Sequence, residues 1–80
     1  MEVIFKKSAR KELSKLDKKL GQRILNKVML LENNPYPTGN KKLEDGYRIR
    51  IGNYRVVYTI NKEAKKIIVI KIRHRKEAYR

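Results

Sequence analysis

Cysteine and tryptophan are absent from these 80 residues, and only four glycines, two prolines, one histidine and one phenylalanine are present. Without cysteine there is no disulfide framework and no thiolate zinc site, and a reducing, cytoplasmic compartment is expected. Apolar runs such as Ile67 to Ile70 stop at four residues, far from the ~20 that a membrane-spanning helix requires. Met1 onward lacks the apolar core of a signal peptide, so a soluble protein with no membrane partner is expected. There is no glycine-rich phosphate loop. Glu44, Asp45, Glu63 and Glu77 are scattered without metal-ligand spacing, so neither a metal centre nor a cofactor is expected.

Negative charge is also scarce, with 8 Asp and Glu against 22 Lys and Arg and a formal charge of +14. That excess points to a polyanionic partner. Apolar residues interrupt the basic ones at regular spacing from Lys6 to Arg80, so the charge belongs to a folded surface and not to a disordered tail. The length suits one domain, residues 1–80, and a domain this small buries roughly 60% of the surface its unfolded chain exposes.

Val3 to Phe5 reads as an opening strand, with Ser8 as the N-cap of a first helix carrying Ala9, Leu13 and Leu16. Asp17 caps a second helix whose stripe is Leu20, Ile24, Val28 and Leu31. Asn33-Asn34-Pro35-Tyr36-Pro37 ends it, and Thr38 to Lys42 continues as a polar loop. From Tyr47 the period changes to two. Gly52-Asn53 is a two-residue hairpin signal that sets Ile51 opposite Tyr54 and Arg50 opposite Arg55, with Arg48 two residues along the same face. A third strand, Lys66 to Arg73, follows an Asn61 to Lys65 turn. Ile67 to Ile70 is apolar on both faces, the mark of a central strand, and the cleanly alternating Tyr47 to Ile51 strand lies nearer an edge. Ile68, Ile70 and Ile72 are expected to face the core, which sends Lys71 and Arg73 to the side of the hairpin arginines. The class is α+β in the order β-α-α-β-β-β, with an N-terminal strand and two amphipathic helices on one face of an antiparallel sheet.

One sheet face then gathers Arg48, Arg50, Arg55, Lys71 and Arg73, and Arg75, Lys76, Tyr79 and Arg80 follow. A lone strand arginine reads as solvation of an open face. Five cations together, two of them directly opposed, break the rule against like charges across a sheet and read as an anion site. Arginine offers forked donors to phosphate, and single-stranded RNA is a suitable polyanion. RNA also carries its own nucleophile, the 2′-hydroxyl, so cleavage needs only a base, an acid and positive charge on the phosphorane. Tyr79, flanked by arginines that favour its phenolate, is a candidate base. An aromatic plug on the sheet is its equally available structural role. His74 is the only histidine, but alternation turns it away from Arg73, which suits a structural or solvent-exposed role better.

The segments KKLEDGYRIRIGNYRVVYTI and IVIKIRHRKEAYR, with the strand and two helices before them, resemble the RelE-type toxins of the RelE/ParE superfamily over essentially the whole chain. The resemblance implies a microbial-ribonuclease-like α+β fold and a ribosome-dependent endoribonuclease that cuts messenger RNA in the ribosomal A site. It also implies a cognate acidic, RelB-like antitoxin as partner. Carried over residue by residue, it makes Arg55, Arg73 and Tyr79 catalytic and places Arg48, Arg50 and Arg75 at recurring basic positions; Lys71 and Lys76 join them as RNA-binding residues. Several relatives continue past this tyrosine into a helix that the antitoxin displaces. This sequence ends one residue after Tyr79, so inhibition is expected to work by covering the basic face or by size. The ParE-like branch shares the fold, targets DNA gyrase and generally lacks the nuclease residues; a gyrase inhibitor and a non-catalytic RNA- or ribosome-binding module are the alternatives.

Overall fold

Asp17 starts the second helical segment: its carboxylate accepts the Leu20 N–H at 2.8 Å, satisfying one of the orphan donors of a helix start. The computed structural model describes residues 1–74; Arg75, Lys76, Tyr79 and Arg80 lie outside the described residues. The elements are strand β1 (Glu2–Phe5), helices α1 (Lys7–Ser14) and α2 (Lys18–Met29), a 3-10 turn (Leu30–Glu32), and strands β2 (Lys41–Leu43), β3 (Gly46–Ile51), β4 (Tyr54–Asn61) and β5 (Lys66–His74).

Ser8 does not cap α1. The helix begins at Lys7 with Lys6 in the cap position, because the Lys6 N–H is already held by the Val69 carbonyl at 2.9 Å and the chain turns into helix directly from β1. Ser8 sits inside the first turn, and its hydroxyl donates to the Ile70 carbonyl at 3.5 Å.

The sheet has five strands in the order β1-β5-β4-β3-β2. It is mixed, not purely antiparallel as expected: β1 runs parallel to β5, from Glu2 opposite Lys66 to Phe5 opposite Val69, and the helices carry the crossover that a parallel neighbour requires. Lys41–Leu43 was expected to be loop and is an edge strand on β3. Lysine is a poor strand former but a common edge residue, because it discourages pairing with another chain.

The core lies between one face of the sheet and the helices. Ile24, Val28 and Leu31 supply the helical side with Ala9, and Ile49, Ile51, Val56, Tyr58, Ile67, Val69 and Ile72 supply the sheet side. Ile72 is buried as expected, whereas Ile67 and Val69 take the places expected of Ile68 and Ile70. Val57 pairs with Lys71 while Tyr58 pairs with Val69, leaving Ile70 as an extra residue in a β-bulge. Ile67 and Val69 are therefore buried before the bulge and Ile72 after it, while Ile68 and Ile70 are only half-buried. Strict alternation continued from Ile67 would have turned Lys71 and Arg73 into the core. The bulge shifts the phase once and keeps both outside.

Gly46 is required where β3 begins. A Cβ there would stand 2.5 Å from the Tyr58 carbonyl oxygen and 3.2 Å from Thr59 Cγ2, so the backbone of β4 would have to move. Gly46→Ala is expected to destabilise the fold by about 1–3 kcal/mol, read as a lower urea midpoint; an unchanged midpoint would mean that β3 and β4 do not approach this closely.

Candidate nucleic-acid interface

The hairpin turn sets the site. Gly52 takes φ +60°, the first central position of a type II′ turn, which matches the twist of the flanking strands. Arg50 then pairs with Arg55 and Ile51 with Tyr54, as the Gly52-Asn53 signal requires. Arg55 pairs in turn with Arg73, so Arg50, Arg55 and Arg73 form one row across three strands. The adjoining row runs from Lys41 opposite Arg48, through Val57, to Lys71. Paired residues lie about 5 Å apart and the rows about 7 Å apart, so six cations share a patch roughly 15 Å long.

These side chains differ in exposure. Arg50, Lys71 and Arg73 are exposed, whereas Arg48 and Arg55 are half-buried with their Nε atoms shielded from solvent. Arg55, between two arginines, is thus both the most crowded and among the most constrained, and a bound phosphate would offset that crowding. Lys41 was not anticipated from sequence. The turn residues are Glu44-Asp45, with Leu43 opposite Gly46; an Asp45-Gly46 turn signal would have set Lys41 opposite Arg50 instead.

His74 stands on the opposite face, as alternation indicated, with its ring edge-on to Tyr54 at 5.1 Å in a small cleft with Glu12, Lys15 and Leu16. The hairpin tyrosines are also on the core side. Tyr58 is wholly buried, stacks on Tyr47 at 5.8 Å, and donates its hydroxyl to the Pro35 carbonyl at 2.7 Å. Burial pushes its pKa above the usual 10.0, with smaller contributions from Asn40, which lowers it, and from neighbouring Tyr47 and Tyr36. Stacking on bases therefore has no tyrosine available to it on the cationic face among the described residues. Arg75, Lys76 and Tyr79, placed in the site by sequence, are outside those residues.

A cleft of about 780 Å³ borders the site where β2 has ended and β3 becomes the edge; Arg23, Lys27, Leu30, Ile49 and Arg50 are among its lining residues. Among the described residues no three His, Cys, Asp or Glu side chains cluster as metal ligands, and no helix is long and apolar enough to cross a membrane.

A family profile described as the ParE toxin of type II toxin–antitoxin systems matches residues 3–79. The chain belongs to this toxin family. Solved structures agree on the superfamily. The toxin is 32% identical to a chain of the archaeal RelE–RelB complex from Pyrococcus horikoshii, covering 92% of this chain and 93% of that one with a TM-score of 0.79. It is 25% identical to a chain of the toxin–antitoxin complex RelBE2 from Mycobacterium tuberculosis, covering 92% and 96% with a TM-score of 0.82. It is 27% identical to the isolated RelE toxin of E. coli, covering 98% and 89% with a TM-score of 0.79. No match was found among curated protein sequences. The toxin is therefore a type II toxin of the RelE/ParE superfamily, with the helices-on-sheet fold of RelE.

Proposed function

We propose that this toxin is a ribosome-dependent, metal-independent endoribonuclease that cleaves messenger RNA in the A site and so stops translation in the cytoplasm. The observation that carries this reading is the Arg50–Arg55–Arg73 row, a line of forked phosphate donors fixed by strand pairing. In the proposed reaction the 2′-oxygen attacks the adjacent phosphorus and its proton passes to the Tyr79 phenolate. Arg55 and Arg73 stabilise the charge on the pentacoordinate phosphate. The P–O5′ bond breaks, the 5′-oxygen takes up a proton from the Arg55 or Arg73 guanidinium, which solvent water restores, and the products are a 2′,3′-cyclic phosphate and a 5′-hydroxyl. Arg48, Arg50 and Lys71, with Arg75 and Lys76, hold the backbone in register.

An acidic, RelB-like antitoxin is the proposed inhibitor. The Pyrococcus and Mycobacterium structures are toxin–antitoxin complexes, and +14 favours fast electrostatic capture by an acidic protein.

The reading is tested with a programmed ribosome and a message carrying one 2′-deoxynucleotide at the mapped cut. Cleavage of the all-ribose message and none at the deoxy position is expected; equal cleavage of both would remove the 2′-hydroxyl mechanism. A second reading, DNA gyrase inhibition, is favoured by the ParE description of the matching profile. Loss of gyrase supercoiling with intact ribosome-bound message would select it.

A further inference from the structure

Helix α2 carries a second cationic row that the proposed cleavage does not use. Lys19, Arg23 and Lys27 recur at four-residue spacing, each immediately before a residue of the apolar stripe, Leu20, Ile24 or Val28. They stand about 6 Å apart along the helix axis. Two local rules are broken to keep them. Like charges at this spacing destabilise a helix, and α2 has no acidic residue in its first turn, where Lys18 and Lys19 oppose the macrodipole.

The surroundings identify the partner. The shallow groove on this face is lined by Lys18, Lys19, Gln22, Arg23, Asn26 and Lys27; its carbon surface is the aliphatic stems of these side chains, and no aromatic or branched apolar residue stands among them. Gln22 and Asn26 are joined by a 2.9 Å hydrogen bond and retain polar atoms for further bonds. A protein partner anchors on apolar and aromatic side chains at the centre of its interface, which this groove lacks. A sugar–phosphate backbone needs cations and amides, which it has. The row also joins the site already described. The Arg23 guanidinium lies over the hairpin tip, 3.6 Å from where a Cβ on Gly52 would be, and Arg23 and Lys27 share the 780 Å³ cleft with Arg50.

We propose that Lys19, Arg23 and Lys27 form a second RNA site that grips the backbone of a base-paired RNA stem while the sheet face holds the single strand to be cut. Base-paired RNA is recognised by shape and backbone, not by base edges, which suits a row of cations on a rigid helix. The inference rests on the RNA-directed reading above, and binding tests it independently of cleavage.

The probe is a fluorescent 20-base-pair RNA hairpin titrated with the full chain at several salt concentrations. The triple variant Lys19→Gln, Arg23→Gln, Lys27→Gln is expected to bind on the order of tenfold more weakly at ~0.1 M salt. Its log–log salt slope should be smaller by about 2–3, near one per phosphate contact removed. Lys19→Arg with Lys27→Arg keeps the charge and should keep wild-type binding, and Lys62→Gln with Lys65→Gln, which removes two charges from the exposed turn before β5, should bind the stem within about twofold of wild type. An unfolding midpoint no lower than wild type shows that the triple variant is folded, as expected when like charges are removed from a helix. Stem binding by the triple variant with wild-type affinity and slope would overturn the proposal, as would loss of an acidic protein partner with RNA binding intact. Absence of cleavage by the wild-type toxin would sink the ribonuclease reading and leave this measurement standing.

Discussion

Arg73→Ala is expected to slow message cleavage on the order of 100-fold, with the fold intact. Removing one preorganised donor from a developing oxyanion costs about that much, and Arg73 ends the row in which Arg55 and Arg50 precede it. Its side chain is exposed, so stability should change by no more than about 0.5 kcal/mol. Arg55→Ala should lose activity to a similar degree. Arg55→Lys separates charge from shape: a lysine keeps the positive charge but not the planar fork, and most of the loss should persist. Arg50→Ala, by contrast, should weaken message binding and flatten its salt dependence while sparing the rate at saturation. Single-turnover cleavage on stalled ribosomes reads all four. Wild-type rates for Arg55→Ala and Arg73→Ala together would mean that the row is a passive surface.

The largest effect on stability is expected at Tyr58. It is wholly buried, so Tyr58→Ala should cost about 3–5 kcal/mol, a large part of the ~5–15 kcal/mol that holds a small domain folded. Tyr58→Phe keeps the stack on Tyr47 and removes the hydroxyl, with its bond to the Pro35 carbonyl and its hydrogen bond with the Asn40 side chain, a loss of about 1–2 kcal/mol. The two variants differ further with pH. Burial raises the Tyr58 pKa above 10.0, so the neutral phenol is the form the fold favours. Its contribution is fully present below pH 10, the unfolded value, and is lost as pH rises through the folded value. The wild-type protein should therefore lose stability more steeply above pH 10 than Tyr58→Phe does. Urea midpoints measured across that range would expose parallel curves if Tyr58 were not buried as described.

Much of the site was legible because one dipeptide governs it. Gly52-Asn53 fixes the hairpin register, and the opposition of Arg50 and Arg55 follows with no knowledge of the rest of the fold. Asp17 was equally readable, since its neighbours begin an apolar stripe at helical spacing. The pairing of β1 with β5 was not readable, because nothing in Val3 to Phe5 records which strand lies beside it across a crossover of two helices. Edge strand β2 was hidden by the low strand propensity of its lysines. At Ile67 to Ile70 the failure has a different cause. Four consecutive apolar residues fit either phase, and the wrong one, with Ile68 and Ile70 buried, happens to give the right side for Lys71 and Arg73. The α2 row was readable from its spacing, but its junction with the hairpin tip depends on where the Arg23 guanidinium lies.

The bulge at Ile70 has a geometric consequence of its own. A strand shortened by that one residue would pass from Val69 straight to Lys71 and still keep every side chain on its present face. The extra residue is therefore dispensable for sorting apolar from charged. What it adds is curvature: a bulge bends its strand and deepens the local twist, here just before Arg73 reaches Arg55, where the Ser8 hydroxyl of α1 approaches the Ile70 carbonyl. The row of arginines thus crosses β5 where the strand is bent and more strongly twisted, so the orientation of Arg73 against Arg55 depends on a residue that belongs to neither row.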